Sequence, residues 1–367
     1  MVSVIVPVRN EAKQLIHTLD ALRLQQNDFK IPLDPELYEV LLLVNNCSDN
    51  SFKIAQLYKK KYPSFRLFVA EIRLAEPVAN IGTVRCLLMD EACARLNSIG
   101  NRKGIIASTD GDSEVDPTWI YHIIQEIRKG NDAVGGRIIT KHYNDHSCKY
   151  YMQNEQYRNL VAKAESIADP VEHDPWPRHF QYFGANLAVT CKMYQKVGGI
   201  PQLPWLEDEA FYKALVQKDA KIRKSLKVKV TTSDRQDGRV AIGFAQQLRE
   251  WAIMKKTNKP QLVPSAEELI IKFTCRQKLR TCWSSQINYE EFNQQRVKQI
   301  ADKLFIDREW LLKELKRITY FGKLWESVEA QMYSGEWGKM WKPVRISKAI
   351  KVLKIYTAKA SWAEHKV

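Results

Sequence analysis

The first ~235 residues alternate β-branched runs with helical apolar spacing, at a repeat of about 30 residues. This rhythm constrains the fold more than any other feature. Adjacent parallel strands need a crossover of a dozen or more residues, and a helix is the usual one. Val2-Ser3-Val4-Ile5-Val6-Pro7 predicts the first strand, and Leu15, Leu19 and Leu22 predict a helix over Glu11–Leu24. Strands follow at Tyr38–Val44, Phe65–Ile72, Gly104–Thr109, Asp132–Thr140, Gly184–Thr190 and Lys227–Thr232. Helices follow at Ser51–Tyr62, Thr83–Leu96, Pro117–Arg128, about Tyr150–Ser166 and Glu207–Gln217. After about Val240 the pattern is helical, without a convincing strand: Gly243–Lys256, Ser265–Leu279, Tyr289–Lys303, Arg308–Ile318 and Ile346–Lys359. The chain is expected to divide into an α/β domain over 1–240 and a helical region over 241–367.

A hydrophobic fraction of 45% supports a sizeable core. No apolar run approaches the roughly 18–20 residues of a membrane span. A strand is expected straight after Met1, so a signal peptide is not expected. The seven cysteines are odd in number and form no C-x-x-C pair, which fits a reducing cytoplasm. A formal charge of +15 implies an anionic partner. Nucleic-acid-binding signatures are absent from the sequence, so nucleic acid is not expected. Lys348, Lys351, Lys354 and Lys359 share the last helix with Ile346, Ile350, Leu353 and Tyr356. Two readings stand for that basic face: peripheral contact with the inner face of an anionic membrane, or solvation on a packed helix, which is the commoner case.

Open parallel sheets bind ligands beyond the carboxyl ends of their strands. The residues there are Pro7-Val8-Arg9-Asn10-Glu11, Asn45-Asn46-Cys47-Ser48-Asp49 and Asp110-Gly111-Asp112. Asp110 and Asp112, separated by one small residue, can both face a divalent cation such as Mg²⁺ or Mn²⁺. A cation bridging a diphosphate would neutralise charge on a nucleoside diphosphate leaving group. Asp-Gly-Asp is also a good turn, so position after a buried strand matters more than the motif.

The opening Val2–Glu11 resembles family 2 glycosyltransferases, nucleotide-diphospho-sugar transferases of the GT-A fold, in which a Rossmann-like, mostly parallel sheet is flanked by helices. The resemblance runs in order through Asn45–Asn50, Asn80-Ile81-Gly82-Thr83-Val84-Arg85, Asp110-Gly111-Asp112, Gly184-Ala185-Asn186 and Glu207-Asp208-Glu209. It implies that Pro7, Asn10, Glu11 and Asn45 shape the nucleotide pocket and that Arg85 approaches the base or diphosphate. Asp110 would serve ribose and metal, and Asp112 the metal. Gly184, Ala185, Asn186 and Glu207 would line the sugar or acceptor pocket. Asp208 would be the base that deprotonates an acceptor hydroxyl or amine, giving inversion. The donor would be a nucleoside diphosphate sugar. Where the family often has two acidic residues, this chain has Asn45-Asn46, and an amide both donates and accepts. A UDP-sugar is the first expectation and a GDP-sugar the second.

Thr231–Arg239 resembles a phosphate-binding segment of a bacterial subset, which assigns Arg235 and Arg239 to the diphosphate. Acceptor contact is expected chiefly from Lys141–Tyr182. Three alternatives stay open: a retaining transferase, a nucleotidyltransferase on the same fold, and a non-catalytic nucleotide-sugar-binding protein at a membrane surface.

Overall fold

Val2–Val8 forms β1, and all seven of its residues are buried. A strand covered on both faces has no polar side, hence its Val and Ile content. The computed structural model describes residues 1–100, 103–140, 148–232, 244–284 and 291–364. In chain order, β1 leads to α1 (Leu15–Arg23), β2 (Tyr38–Asn45), α2 (Ser51–Lys61), β3 (Leu67–Ile72), α3 (Ile81–Ser98), β4 (Ile105–Ser108) and β5 (Ser113–Val115). Then come α4 (Trp119–Arg128), β6 (Ala133–Thr140), α5 (Cys148–Ala168), β7 (Leu187–Thr190), α6 (Cys191–Lys196), α7 (Glu207–Gln217) and β8 (Ile222–Thr232).

These eight strands make one sheet in the order β3-β2-β1-β4-β7-β6-β8-β5. β1 pairs parallel with β2 and β4, and β2 with β3. The expected α/β class, with a mostly parallel sheet flanked by helices, is the observed one. Its far half is more mixed than the helix–strand rhythm suggests: β7 is antiparallel to β4 and β6, and β5 to β8, while β6 and β8 are parallel. Periodicity reports that a residue run is a strand and says nothing of its direction. The three-residue β5 and six-residue α6 were not expected, since neither is long enough to carry a periodic signal.

By contacts, residues 1–144, 181–215 and 220–247 form one unit, and 145–180, 216–219 and 248–367 form another. The boundary expected at 240 lies outside the described residues. Successive side chains of β1 point to opposite faces, so each face of the sheet has its own core. Val4 and Val6 pack with Leu15, Leu19 and Trp119 on one side. Ile5 packs with Val84, Leu88, Met89 and Phe211 on the other.

The second unit adds α8 (Phe244–Lys256), β9 (Leu262–Val263), α9 (Ala266–Ser284), α10 (Glu291–Leu304), α11 (Arg308–Arg317), α12 (Phe321–Ser334), α13 (Glu336–Met340), β10 (Val344–Arg345) and α14 (Ile346–Glu364) to α5. It is helical as expected, except that β9 and β10 pair as a two-residue antiparallel ladder. Trp325 and Trp337 are buried in its larger core with Leu279, Leu304 and Val328. None of the described helices is long and apolar enough to cross a membrane.

Candidate functional site

The loops after β1 and β2 are tied into one piece. Asn10 and Asn46 hold positive φ angles of 55° and 48°, a left-handed conformation that asparagine tolerates better than most residues. Asn10 Oδ1 accepts from the Ser48 N–H at 2.8 Å, and the Asn10 N–H points at Cys47 Sγ, 3.0 Å away. The Glu11 N–H donates to Ser51 Oγ and the Ala12 N–H to Asp49 Oδ2, both at 2.9 Å. Pro7, the second-last residue of β1, and Glu11 are buried beside this seam.

The two amides after β2 differ in kind. Asn46 donates to the Leu74 carbonyl at 2.8 Å and accepts the Leu74 N–H at 2.9 Å, stapling β2 to the exit of β3. Asn45 is 4% exposed, and among the described residues its Oδ1 has no hydrogen-bond partner. A buried carbonyl oxygen without a donor is costly, so it marks a place where a ligand donor would be welcome.

Asp110-Gly111-Asp112 leaves β4 in a tight turn closed by the Ser113 N–H on the Asp110 carbonyl at 3.1 Å. A Cβ on Gly111 would lie 3.0 Å from Val8 Cγ2 and 3.2 Å from the Pro7 carbonyl oxygen. The missing side chain therefore lets the acidic turn press against the end of β1. Thr18 of α1 fixes it there by donating to the Gly111 carbonyl at 3.0 Å.

The residues of Asn80–Arg85 divide their labour. Asn80 caps α3 by accepting the Thr83 N–H at 3.0 Å. A Cβ on Gly82 would fall 2.0 Å from the Leu203 carbonyl oxygen, so only glycine lets α3 approach that backbone. Arg85, 4% exposed, sends one nitrogen to Asp110 Oδ1 at 2.8 Å and another to Glu207 Oε1. Gly184 lacks a Cβ where one would sit 2.2 Å from the guanidinium. Arg85 is thus an internal counter-ion, and Glu207, 3% exposed, is its anchor.

Asp208 stands next to this pair in the first turn of α7, where acids are favoured by the helix dipole. Its Oδ2 accepts the Gly184 N–H at 2.7 Å and its Oδ1 the Glu209 N–H at 2.9 Å. Asn186 is committed beneath the site: it accepts from Trp119 Nε1 at 2.8 Å and donates to the carbonyls of Arg137 and Val228 at 3.0 and 3.3 Å. Ala185 between them is partly exposed. Arg235 and Arg239 lie outside the described residues, as does the 141–147 part of the expected acceptor stretch.

Burial pushes the Asp110 carboxyl up to about 6; Arg85 opposes the shift, and Asp112, Glu207 and Asp208 add to it. Its side chain keeps 34% exposure, so ions from solvent can reach it. Glu207 is also raised, by burial and by Asp208, against Arg85. Burial lowers the Arg85 pKa, but Asp110, Glu207 and Asp208 outweigh it and leave it raised. Among the described residues, Asp110, Glu207 and Asp208 act on the Arg85 guanidinium and Asp112 acts on Asp110, a gathering of carboxylates that a divalent cation would suit. Among the described residues no group of three or more His, Cys, Asp or Glu side chains is arranged to hold a metal ion. Asp110 and Asp112 nonetheless suit Mg²⁺ or Mn²⁺, which commonly take one or two carboxylates and fill the other positions with phosphate oxygens and water.

Residues 3–84 match the model of glycosyl transferase family 2. The resemblance read from the sequence is borne out over that segment, which runs from β1 to the residue before Arg85. No curated protein matches the chain. Among solved structures, S. aureus TarS 1-349 in complex with UDP-GlcNAc is similar at 14% identity and a TM-score of 0.48, over 91% of this chain and 92% of that one. The mannosyltransferase PcManGT from Pyrobaculum calidifontis, in complex with GDP-Man and Mn²⁺, is similar at 13% identity and a TM-score of 0.44, over 99% and 87%. GalNAc-T7 with UDP, GalNAc and Mn²⁺ is similar at 12% identity and a TM-score of 0.45, over 91% of this chain and 57% of that one.

The sequence reading missed the structural parts of Cys47, Asp49 and Gly82. Asp49 could have been found, since Asp49-Asn50-Ser51 before a helical run is a capping signature. Glu207 as an ion anchor had no signal, because its partner lies 122 residues away.

Proposed function

We propose that the chain moves a sugar from a nucleoside diphosphate sugar to an acceptor hydroxyl or amine, with a divalent cation. The observation that supports this reading is the gathering of Asp110, Glu207 and Asp208 around Arg85 beside the strand ends, with Asp112 one residue beyond Gly111. Asp110 and Asp112 would hold Mg²⁺ or Mn²⁺, whose chemistry there is to neutralise the diphosphate as it leaves. Pro7, Asn10 and Glu11 form the wall of the nucleotide pocket, and Asn45 Oδ1 offers an acceptor to a base donor. A UDP-sugar is the first candidate and a GDP-sugar the second. Asp208 takes the proton from the acceptor nucleophile, which attacks the anomeric carbon directly and inverts it. Gly184 N–H and the start of α7 hold that carboxylate in place. Arg85 keeps Asp110 and Glu207 apart and oriented rather than reaching substrate.

Thermal unfolding with UDP, GDP and their sugars, with and without Mn²⁺, tests the donor half. A matching nucleotide at a hundred times its Kd adds about 2.7 kcal/mol of stability. This gain should require Mn²⁺ and vanish in Asp112→Ala. An equal nucleotide shift in Asp112→Ala would overturn the metal assignment.

A further inference from the structure

Residues 202–206 lead into the acidic first turn of α7, and all five are exposed. Leu203, Trp205 and Leu206 are 40%, 43% and 40% exposed, so three large apolar side chains stand within four residues. Single exposed apolar residues are normal, but a contiguous group beside a reactive centre calls for a ligand.

The segment is held firmly. Gln202 Nε2 donates to Cys86 Sγ at 3.6 Å, and the Leu203 backbone occupies the space left by Gly82. Pro201 and Pro204 fix their own φ angles. Leu206 adopts a left-handed φ of 57°, unfavourable for an apolar L-residue, and its carbonyl accepts the Ala210 N–H at 3.0 Å to start α7. Both side anchors are on α3, the helix that carries Arg85. The apolar trio therefore keeps a fixed station next to Glu207 and Asp208.

We infer that Trp205, flanked by Leu203 and Leu206, is the acceptor platform and that the acceptor is itself a carbohydrate, whose C–H face lies on the indole. This rests on the transferase reading above. A sugar ring has an apolar face and a polar rim. The indole matches the face with a large flat apolar surface, and its N–H can serve the rim. The adjoining acids Asp208 and Glu209 disfavour an anionic group at this position, and a neutral sugar carries none. A small aliphatic alcohol would leave the trio unused.

The full chain labelled with 5-fluorotryptophan gives one fluorine resonance per indole, and Trp205→Phe assigns that of Trp205. Neutral methyl glycosides of glucose, galactose, mannose and N-acetylglucosamine are the probes. At least one should shift the Trp205 resonance saturably, and in transfer assays Trp205→Ala should raise its KM about tenfold, with Trp205→Phe recovering most of the loss. Nucleotide binding to the unsubstituted chain is measured separately by thermal shift with Mn²⁺. If nucleotides bind but no glycoside moves Trp205, the platform is refuted and the donor reading survives. If glycosides move Trp205 but no nucleoside diphosphate or sugar conjugate binds, the platform stands and the transferase reading falls.

Discussion

At the scale of single residues, Asp110 concentrates the physics of the site. Its carboxyl is raised to about 6 by burial first; Arg85 opposes the shift, and Asp112, Glu207 and Asp208 add to it. A folded pKa above the unfolded value of about 3.9 means the fold favours the protonated form. The associated stability is complete below about pH 4 and is lost as pH rises through about 6. Without added cation, the unsubstituted chain should therefore lose stability relative to Asp110→Asn between pH 5 and pH 7.5. Urea midpoints at the two pH values measure this. Mn²⁺ should reverse the trend, because it binds the deprotonated carboxylate and its affinity rises over the same interval. A stability difference independent of pH would contradict the assigned crowding of charge.

At the scale of elements, glycine positions carry the architecture around Arg85. Alanine is normally preferred to glycine in a helix by about 1 kcal/mol. Gly82→Ala should do the opposite, because its Cβ would meet Leu203 backbone atoms at 2.0 and 2.8 Å and neither is a flexible side-chain end. A loss of about 1–3 kcal/mol is expected, read as a lower urea midpoint. Unchanged or increased stability would show that α3 and the 202–206 segment are not in that contact. The same elements show what the sequence could disclose. β1, β2, α1 and α2 were legible because buried parallel strands and amphipathic helices write strong periodic patterns. Asp110 and Asp112 were singled out because they come just after such a strand, and Asp208 because Glu207-Asp208-Glu209 resembles the family's acidic motif. α12 was missed although Phe321, Leu324, Trp325, Val328 and Met332 recur at helical spacing. Gly322 in its first turn argues against a helix when read alone. In the fold, a Cβ there would sit 1.8 Å from the Val216 carbonyl oxygen, and the Asp219 carboxylate accepts the Phe321 and Gly322 N–H groups at 2.8 and 2.7 Å. Packing and capping by distant residues thus override a local penalty, and a single sequence does not display distant partners. The same applies to Arg85: the family resemblance singled it out, but its pairing with Glu207 emerges only from the fold.

At the scale of the whole molecule, the chain carries a formal charge of +15, and α14 is one place where positive charge is ordered. Ile346, Ala349, Ile350 and Leu353 are buried against α5 and α9, whereas Lys348, Lys351, Lys354, Ile355 and Lys359 are exposed. Under the proposal of peripheral membrane contact, each of these lysines near an anionic bilayer adds about 1 kcal/mol, and the attraction fades within the Debye length of about 8 Å at physiological salt. The chain should then sediment with vesicles containing phosphatidylserine at low salt and be released by ~0.5 M NaCl. Replacing Lys348, Lys351 and Lys354 together by Glu should abolish sedimentation without lowering the melting temperature appreciably, since all three side chains are exposed. Equal sedimentation with neutral phosphatidylcholine vesicles, or no loss in the triple variant, would leave α14 as a solvated packing helix and return the anionic partner implied by the net charge to the diphosphate of the donor.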